Sequence, residues 1–229
     1  MNWETILSHC DHTLLSPTAD WNAIRRICDD GMRFSTASVC IPPLFVELAK
    51  QYVGEHLSVC TVIGFPLGYQ TTAAKAYEAA DAIRNGADEL DTVIPLGWVK
   101  EGRDDRIEEE IRALKQICGN RILKVIIETA LLTESEKIRM CHTVTAAGAD
   151  YIKTSTGFAA GGATVNDVQL LRANIGPAIK VKAAGGIRTR KDAEALLQAG
   201  ADRLGSSRLV ELARQDGYGQ LSHVEYSET

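Results

Sequence analysis

Long apolar runs are missing from these 229 residues, and no stretch reaches the ~18–20 residues that a membrane span needs. The opening Met1-Asn2-Trp3-Glu4 lacks a basic segment followed by an apolar one, so no secretory signal is read. An excess of positive charge is also missing. Lys plus Arg is 25 against 30 for Asp plus Glu, a net charge of −5 without a basic run, which argues against nucleic acid as a partner. The six cysteines, Cys10, Cys28, Cys40, Cys60, Cys118 and Cys141, form no C-x-x-C pair and no metal-finger spacing. They read as small hydrophobes in a reduced, cytoplasmic protein. The five histidines make no H-E-x-x-H or comparable cluster, so no catalytic metal is expected. G-x-G-x-x-G and P-loop patterns are absent as well, which counts against an open doubly wound sheet.

What is present is alternation. Short apolar runs at 10–15, 35–41, 57–65, 89–94, 122–127, 151–154, 179–184 and 203–205 read as strands. Between and after them, amphipathic segments at 20–30, 44–53, 72–85, 106–118, 133–147, 165–174, 191–199 and 207–214 read as helices, and Thr133-Glu-Ser-Glu136 is a capping pattern. Eight strand–helix units predict a single-domain α/β fold, a (β/α)8 barrel over residues 1–216 followed by a polar tail at 217–229. Gly86-Ala-Asp88, Gly148-Ala-Asp150 and Gly200-Ala-Asp202 repeat at helix-to-strand junctions and support that count.

Three lysines stand out against this pattern. Lys124, Lys153 and Lys182 lie on the fifth, sixth and seventh strands, 29 residues apart each time, and so occupy equivalent places on neighbouring strands. Period-two alternation sends Ile179, Val181 and Ala183 toward the helices and Lys182 into the barrel; Lys153 turns inward by the same rule. A buried lysine is disfavoured unless it is paired or loses its charge. Two readings therefore stand. One is a structural ion-pair network with Asp91 or Glu128. The other is Schiff-base chemistry, in which a cationic neighbour depresses one amine from ~10.4 toward 7–8 and makes it a nucleophile. Asp91, inward with Glu89 and Val93, is either a counter-ion or a proton relay acting through water, and Asp11 is a weaker candidate of that kind. Small-residue loops at 154–157, 184–186 and 205–207 are each explicable as tight turns, but together they favour an anionic ligand.

The motifs Asp11-His-Thr-Leu-Leu15, Val39-Cys-Ile-Pro42, Val62-Ile-Gly-Phe-Pro-Leu-Gly68, Asp88-Glu-Leu-Asp91, Leu123-Lys-Val-Ile-Ile-Glu-Thr129, Tyr151-Ile-Lys-Thr-Ser-Thr-Gly-Phe158 and Val181-Lys-Ala-Ala-Gly-Gly-Ile-Arg-Thr189 resemble deoxyribose-phosphate aldolases, in order, from about residue 10 to residue 208. The resemblance implies a class I aldolase on a (β/α)8 barrel. It implies no metal and no cofactor, a small phosphorylated sugar as substrate, and a homodimer. By position it implies Lys153 as the Schiff-base lysine, Lys182 tuning it, and Asp91 in proton transfer, with Lys124, Asp11 and Thr154 in support. Gly157, Gly185, Gly186, Ser206 and Ser207 would hold the phosphate. Arg208 departs from the family, which places a small residue there; it either adds a phosphate contact or crowds the cradle. Tyr218 and Tyr226 are the candidates for a tail that folds over the site. The rival readings are an aldolase for a different phosphorylated sugar on the same scaffold and a non-catalytic phosphosugar-binding barrel.

Overall fold

The computed structural model describes residues 1–219. Eight parallel strands pair in chain order and close where the eighth meets the first. They are β1 (Cys10–Thr13), β2 (Ser38–Ile41), β3 (Val59–Ile63), β4 (Glu89–Val93), β5 (Ile122–Ile126), β6 (Tyr151–Lys153), β7 (Lys180–Ala184) and β8 (Arg203–Ser206). The helices are α1 (Trp3–Ser8), α2 (Trp21–Arg33), α3 (Val46–Val53), α4 (Thr72–Arg84), α5 (Leu96–Lys100), α6 (Asp104–Cys118), α7 (Glu134–Ala147), α8 (Val165–Asn174), α9 (Arg190–Gln198) and α10 (Leu209–Gln215).

The expected barrel is there, with two additions and several shorter strands. Helix α1 precedes the first strand. Asn2 caps it by accepting from the Thr5 N–H at 2.8 Å, and Ile6 and Leu7 are wholly buried. Helix α5 is an extra turn after β4. Strand β2 starts at Ser38 because Ser35 sits at φ 51°, a turn conformation no strand accommodates. Strand β3 ends at Ile63 because Gly64 follows at φ 59°.

Alternation sorts the side chains into two cores. Val39, Ile41, Val59, Leu90, Leu123, Val125, Ile152, Val181 and Leu204 face outward into the apolar layer beneath the helices. At ~1.5–3 kcal/mol for each such side chain buried, this layer is the main favourable term. The opposite faces carry the polar residues inward.

The repeated Gly-Ala-Asp triplets do one job three times. Glycine turns the chain with positive φ at 100°, 73° and 108°, and the alanine buries against the sheet. The aspartate then accepts a backbone N–H at the start of the preceding strand: Asp88 from Val59, Asp150 from Leu123 and Asp202 from Val181, each at 2.8 Å. A cation from a helix completes each junction: Lys50, Lys115 and Arg172.

Tyr218, considered above for a closing tail, packs on Phe34 with ring centroids 6.2 Å apart. Phe34 follows α2 on the way into β2, so this contact lies at the N-terminal end of the strands, away from their C-terminal mouth. Tyr226 falls outside the described residues.

Candidate active site

The inward row is a charge cluster. Lys124, Lys153 and Lys182 converge on one carboxylate, Asp91, which is wholly buried. Lys124 Nζ donates to Asp91 Oδ1 at 2.8 Å; Lys153 and Lys182 donate to Oδ2 at 2.7 and 2.6 Å. Lys182 also meets Asp11 Oδ2 at 2.5 Å, and Lys124 meets Glu89 Oε2 at 2.6 Å. Arg203, from β8, joins Asp11 Oδ1 at 2.5 Å and Glu89 Oε2 at 3.3 Å. Ser38 adds a hydrogen bond to Asp11 at 2.8 Å.

The ion-pair reading is met in part. The network exists, yet it includes Asp11, Glu89 and Arg203 and leaves out Glu128. That residue accepts instead from the Thr156 backbone N–H at 3.2 Å and from the Thr156 hydroxyl. Its own backbone adopts φ 53°, so the β5-to-α7 turn is bent to deliver this brace.

Electrostatics divides the labour. Burial works against every charge here, and the partners outweigh it. For Asp91, burial would raise the pKa, but the ammonium groups of Lys124, Lys153 and Lys182 hold it well below the usual carboxylate range. Asp11 is likewise lowered, by Lys182, Lys124 and Arg203. For Lys182, burial favours the neutral amine, while Asp11 and Asp91 raise its pKa above the ordinary lysine value. Lys124 is raised by Asp91, Cys60 and Glu89. Lys182 and Lys124 are therefore fixed ammonium groups.

A cavity of about 410 Å³ opens above this cluster at the C-terminal ends of the strands. Among the described residues, Lys153 is the one lysine lining it. Gly157, Gly185, Gly186, Ser206 and Ser207 all line it too, so the five expected phosphate residues come together. Arg188 and Arg208 stand beside them, and among the described residues the lining carries no carboxylate. The cradle depends on close backbone approach: a Cβ on Gly162 would fall 2.5 Å from the carbonyl carbon and oxygen of Gly185. Thr154 does not line the cavity. Its hydroxyl donates to Ala184 O at 3.2 Å and accepts from Ala184 N at 3.1 Å, pinning the end of β6 to β7.

Sequence reasoning passed over four residues here. Arg203 was legible by alternation, since Leu204 must face the helices. Thr156 and Arg188 lie in loops, where no periodicity points. Phe158, half-exposed on the cavity wall, stacks edge-on against Phe65 at 5.2 Å, a contact between loops more than ninety residues apart.

Comparison with known proteins agrees with this geometry. Residues 5–207 match the family model described as DeoC/LacD family aldolase. A protein of Clostridium botulinum (strain Alaska E43 / Type E3) named deoxyribose-phosphate aldolase is 52% identical over 214 residues, covering 93% of this chain and 97% of its own. Among solved structures, an aldolase designated QR15 superposes with a TM-score of 0.88 at 37% identity, over 92% of this chain and 95% of its own. A deoxyribose phosphate aldolase from Aeropyrum pernix, described as a unique tetramer, superposes at 0.86 with 29% identity, over 94% and 92%. With an eight-stranded barrel, an inward lysine cluster at its mouth and relatives matched over nearly their whole length, this chain belongs to the DeoC/LacD family of aldolases.

Proposed function

We propose that this enzyme cleaves 2-deoxy-D-ribose 5-phosphate reversibly to D-glyceraldehyde 3-phosphate and acetaldehyde, through an imine formed on Lys153. One observation carries the reading. Lys153 alone among the lysines reaches both the cavity and the buried carboxylate of Asp91. Four cations, Lys124, Lys153, Lys182 and Arg203, meet three carboxylates, Asp11, Glu89 and Asp91. Of the amines among these cations, only Lys153 opens onto the cavity, where a carbonyl substrate can meet it.

The neutral amine adds to C1 of the open-chain sugar; the carbinolamine takes up one proton and loses water to give the iminium ion, and that proton is returned when the product imine is hydrolysed. Removal of the C3 hydroxyl proton breaks the C2–C3 bond. Its electron pair flows into the iminium as an enamine, and glyceraldehyde 3-phosphate departs. The enamine takes a proton at C2, and water hydrolyses the resulting imine to acetaldehyde and free Lys153. Asp91 is too strongly stabilised as an anion to be a good base by itself. It orients Lys153 and Lys182, and a water held against it relays the C3 proton, while Lys182 supplies fixed positive charge beside the changing nitrogen. Gly157, Gly185, Gly186, Ser206 and Ser207 grip the phosphate, with the two arginines adding charge.

The reading extends to a cytoplasmic homodimer. Six buried free thiols support a reducing compartment, and the exposed stripe Leu44, Leu48 and Tyr52 along one helical face supports self-association. The central test is borohydride reduction in the presence of acetaldehyde. Peptide mass mapping should find a single N-ethyl group on Lys153; a folded protein left unmodified there would overturn the mechanism.

A further inference from the structure

Glu128 takes no part in the lysine network, yet it is buried and, among the described residues, has no cationic partner. Its backbone lies in the left-handed region at φ 53° and ψ 66°. A buried unpaired carboxylate and a left-handed non-glycine residue both cost stability, and such costs gather where a geometry has to be held. The geometry held here is the loop after β6. Backbone bonds join the ends of β5 and β6 as far as Thr154: the Ile127 N–H donates to Lys153 O at 3.0 Å and the Thr129 N–H to Thr154 O at 2.8 Å. Beyond that point the Glu128 side chain carries the pairing on, accepting from the Thr156 N–H at 3.2 Å and from the Thr156 hydroxyl. The same hydroxyl oxygen accepts from the Phe158 N–H at 3.0 Å. Two of three consecutive N–H groups are thereby tied down. The one between them, on Gly157, donates to no acceptor among the described residues, and Gly157 lines the cavity. Gly157 sits at φ 84°, and an added Cβ would meet nothing within 4 Å, so glycine is needed here for its backbone conformation rather than for room.

We infer that Glu128 is a positioning residue: by fixing both donors of Thr156 from behind the loop, it presents the free Gly157 N–H to the phosphate of the substrate, a role that rests on the phosphosugar reading of the cavity. Glu128 does not line the cavity, so its charge stays behind Thr156 and away from the dianion. A peptide N–H already held in place meets a phosphate oxygen without first giving up loop freedom, and that preorganisation appears as affinity. Lys153 precedes the braced turn, and its carbonyl is held by Ile127 independently of the Glu128 side chain. The brace therefore bears on substrate binding and not on imine formation.

The test compares wild type, E128A, E128Q, T156V and T156S in three measurements. These are steady-state cleavage of 2-deoxyribose 5-phosphate and of unphosphorylated 2-deoxyribose, calorimetric titration with inorganic phosphate, and the rate at which acetaldehyde and borohydride label Lys153. In E128A, KM for deoxyribose 5-phosphate and Kd for phosphate should each rise ~10-fold, with kcat, the deoxyribose reaction and the labelling rate little changed. T156V should do the same from the other side of the bond, and it carries the test if E128A does not fold. E128Q keeps an acceptor and T156S keeps the hydroxyl, so each should recover most of the loss. A merely structural role would raise KM for both sugars or slow the labelling, and either result overturns the inference. So does a wild type that binds no phosphate, or a phosphate affinity unchanged in both E128A and T156V. Phosphate binding does not depend on turnover. A wild type that binds phosphate through this brace but cleaves no deoxyribose 5-phosphate would sink the proposed function and leave the role of Glu128 standing.

Discussion

Lys153 and Lys182 are partners in register on β6 and β7, and their amino groups reach the same atom, Asp91 Oδ2. What separates them is surroundings. Lys182 is wholly buried and has a second carboxylate, Asp11, so its charge is locked in. Among the described residues Lys153 pairs only with Asp91, and it opens on the cavity. Two lysines placed alike on adjacent strands thereby differ: one is a buried, doubly paired charge and the other faces the cavity.

Replacing Lys182 by methionine keeps most of the stem and removes the charge. We expect kcat to fall ~10²–10⁴-fold, with KM for deoxyribose 5-phosphate little changed, because the cradle after β7 and β8 is untouched. K182R should recover only part of the loss, since a guanidinium fork does not fit between Asp11 and Asp91 as a point charge does. Steady-state kinetics on both variants decide it: a K182M enzyme with wild-type kcat ends the assignment.

The cluster also sets the response of stability to pH. Asp11 and Asp91 have folded pKa values below their unfolded ones. Their stabilisation is present above the unfolded value of ~3.9 and is lost as pH falls through the folded values. Lys182 and Lys124 are raised, so theirs is present below ~10.4 and is lost as pH climbs further. Thermal melts should therefore show a plateau between those limits and a decline on either side. In D91N, which removes the carboxylate that Lys124, Lys153 and Lys182 share, the plateau should drop by ~3–5 kcal/mol. A D91N protein as stable as wild type would contradict the network's role.

Arg208 is the position where the resemblance leads one to expect a small residue. Its backbone N–H donates to Ser206 Oγ at 3.1 Å, and it lines the cavity beside Gly185, Gly186 and Ser207, the proposed phosphate cradle. A charge-assisted contact of ~1.5–3 kcal/mol corresponds to roughly a tenfold to hundredfold effect on binding. R208S should raise KM for deoxyribose 5-phosphate by about that factor and leave unphosphorylated deoxyribose unaffected. A lower KM in R208S would mean that the arginine crowds the cradle instead.

The barrel and its inward lysine cluster were legible because both follow from periodicity. A repeat of 29 residues places Lys124, Lys153 and Lys182 alike, and alternation points them inward without any knowledge of tertiary contacts. Partner choice was less legible. Nothing in the spacing distinguishes Glu128 from Glu89 as the acid that meets the lysines; the distinction comes from the turn at Glu128, whose positive φ turns its carboxylate toward Thr156. Cys40 and Cys60 were read as small hydrophobes, which describes their burial but not their direction. The aromatic contact of Phe65 with Phe158 joins loops whose meeting depends on barrel closure, so no local pattern encodes it.

Lys75 escaped sequence reading for a different reason: it sits on the buried side of an alanine-rich helix and resembles a surface residue. In the fold it is wholly buried, and Nζ donates to Glu110 Oε1 at 2.6 Å and to Val93 O at 2.8 Å. Thr72 completes the acid's bonding at 2.9 Å. The lysine stem lies over Gly64, where an added Cβ would come within 2.7 Å of it. The pair thus ties α4 and α6 to the ends of β3 and β4, just behind the loop that carries Phe65. Losing one partner strands the other charge in a dry site, so K75M and E110L should each cost ~3–5 kcal/mol. Losing both removes two desolvation penalties along with their attraction, and the K75M/E110L double variant should come back close to wild type. Urea unfolding of the four proteins gives the coupling directly. If the single variants lie within ~0.5 kcal/mol of wild type, the pair is a bystander. If the double variant loses as much as the two singles added together, the residues act independently and the anchor lies elsewhere in the loop.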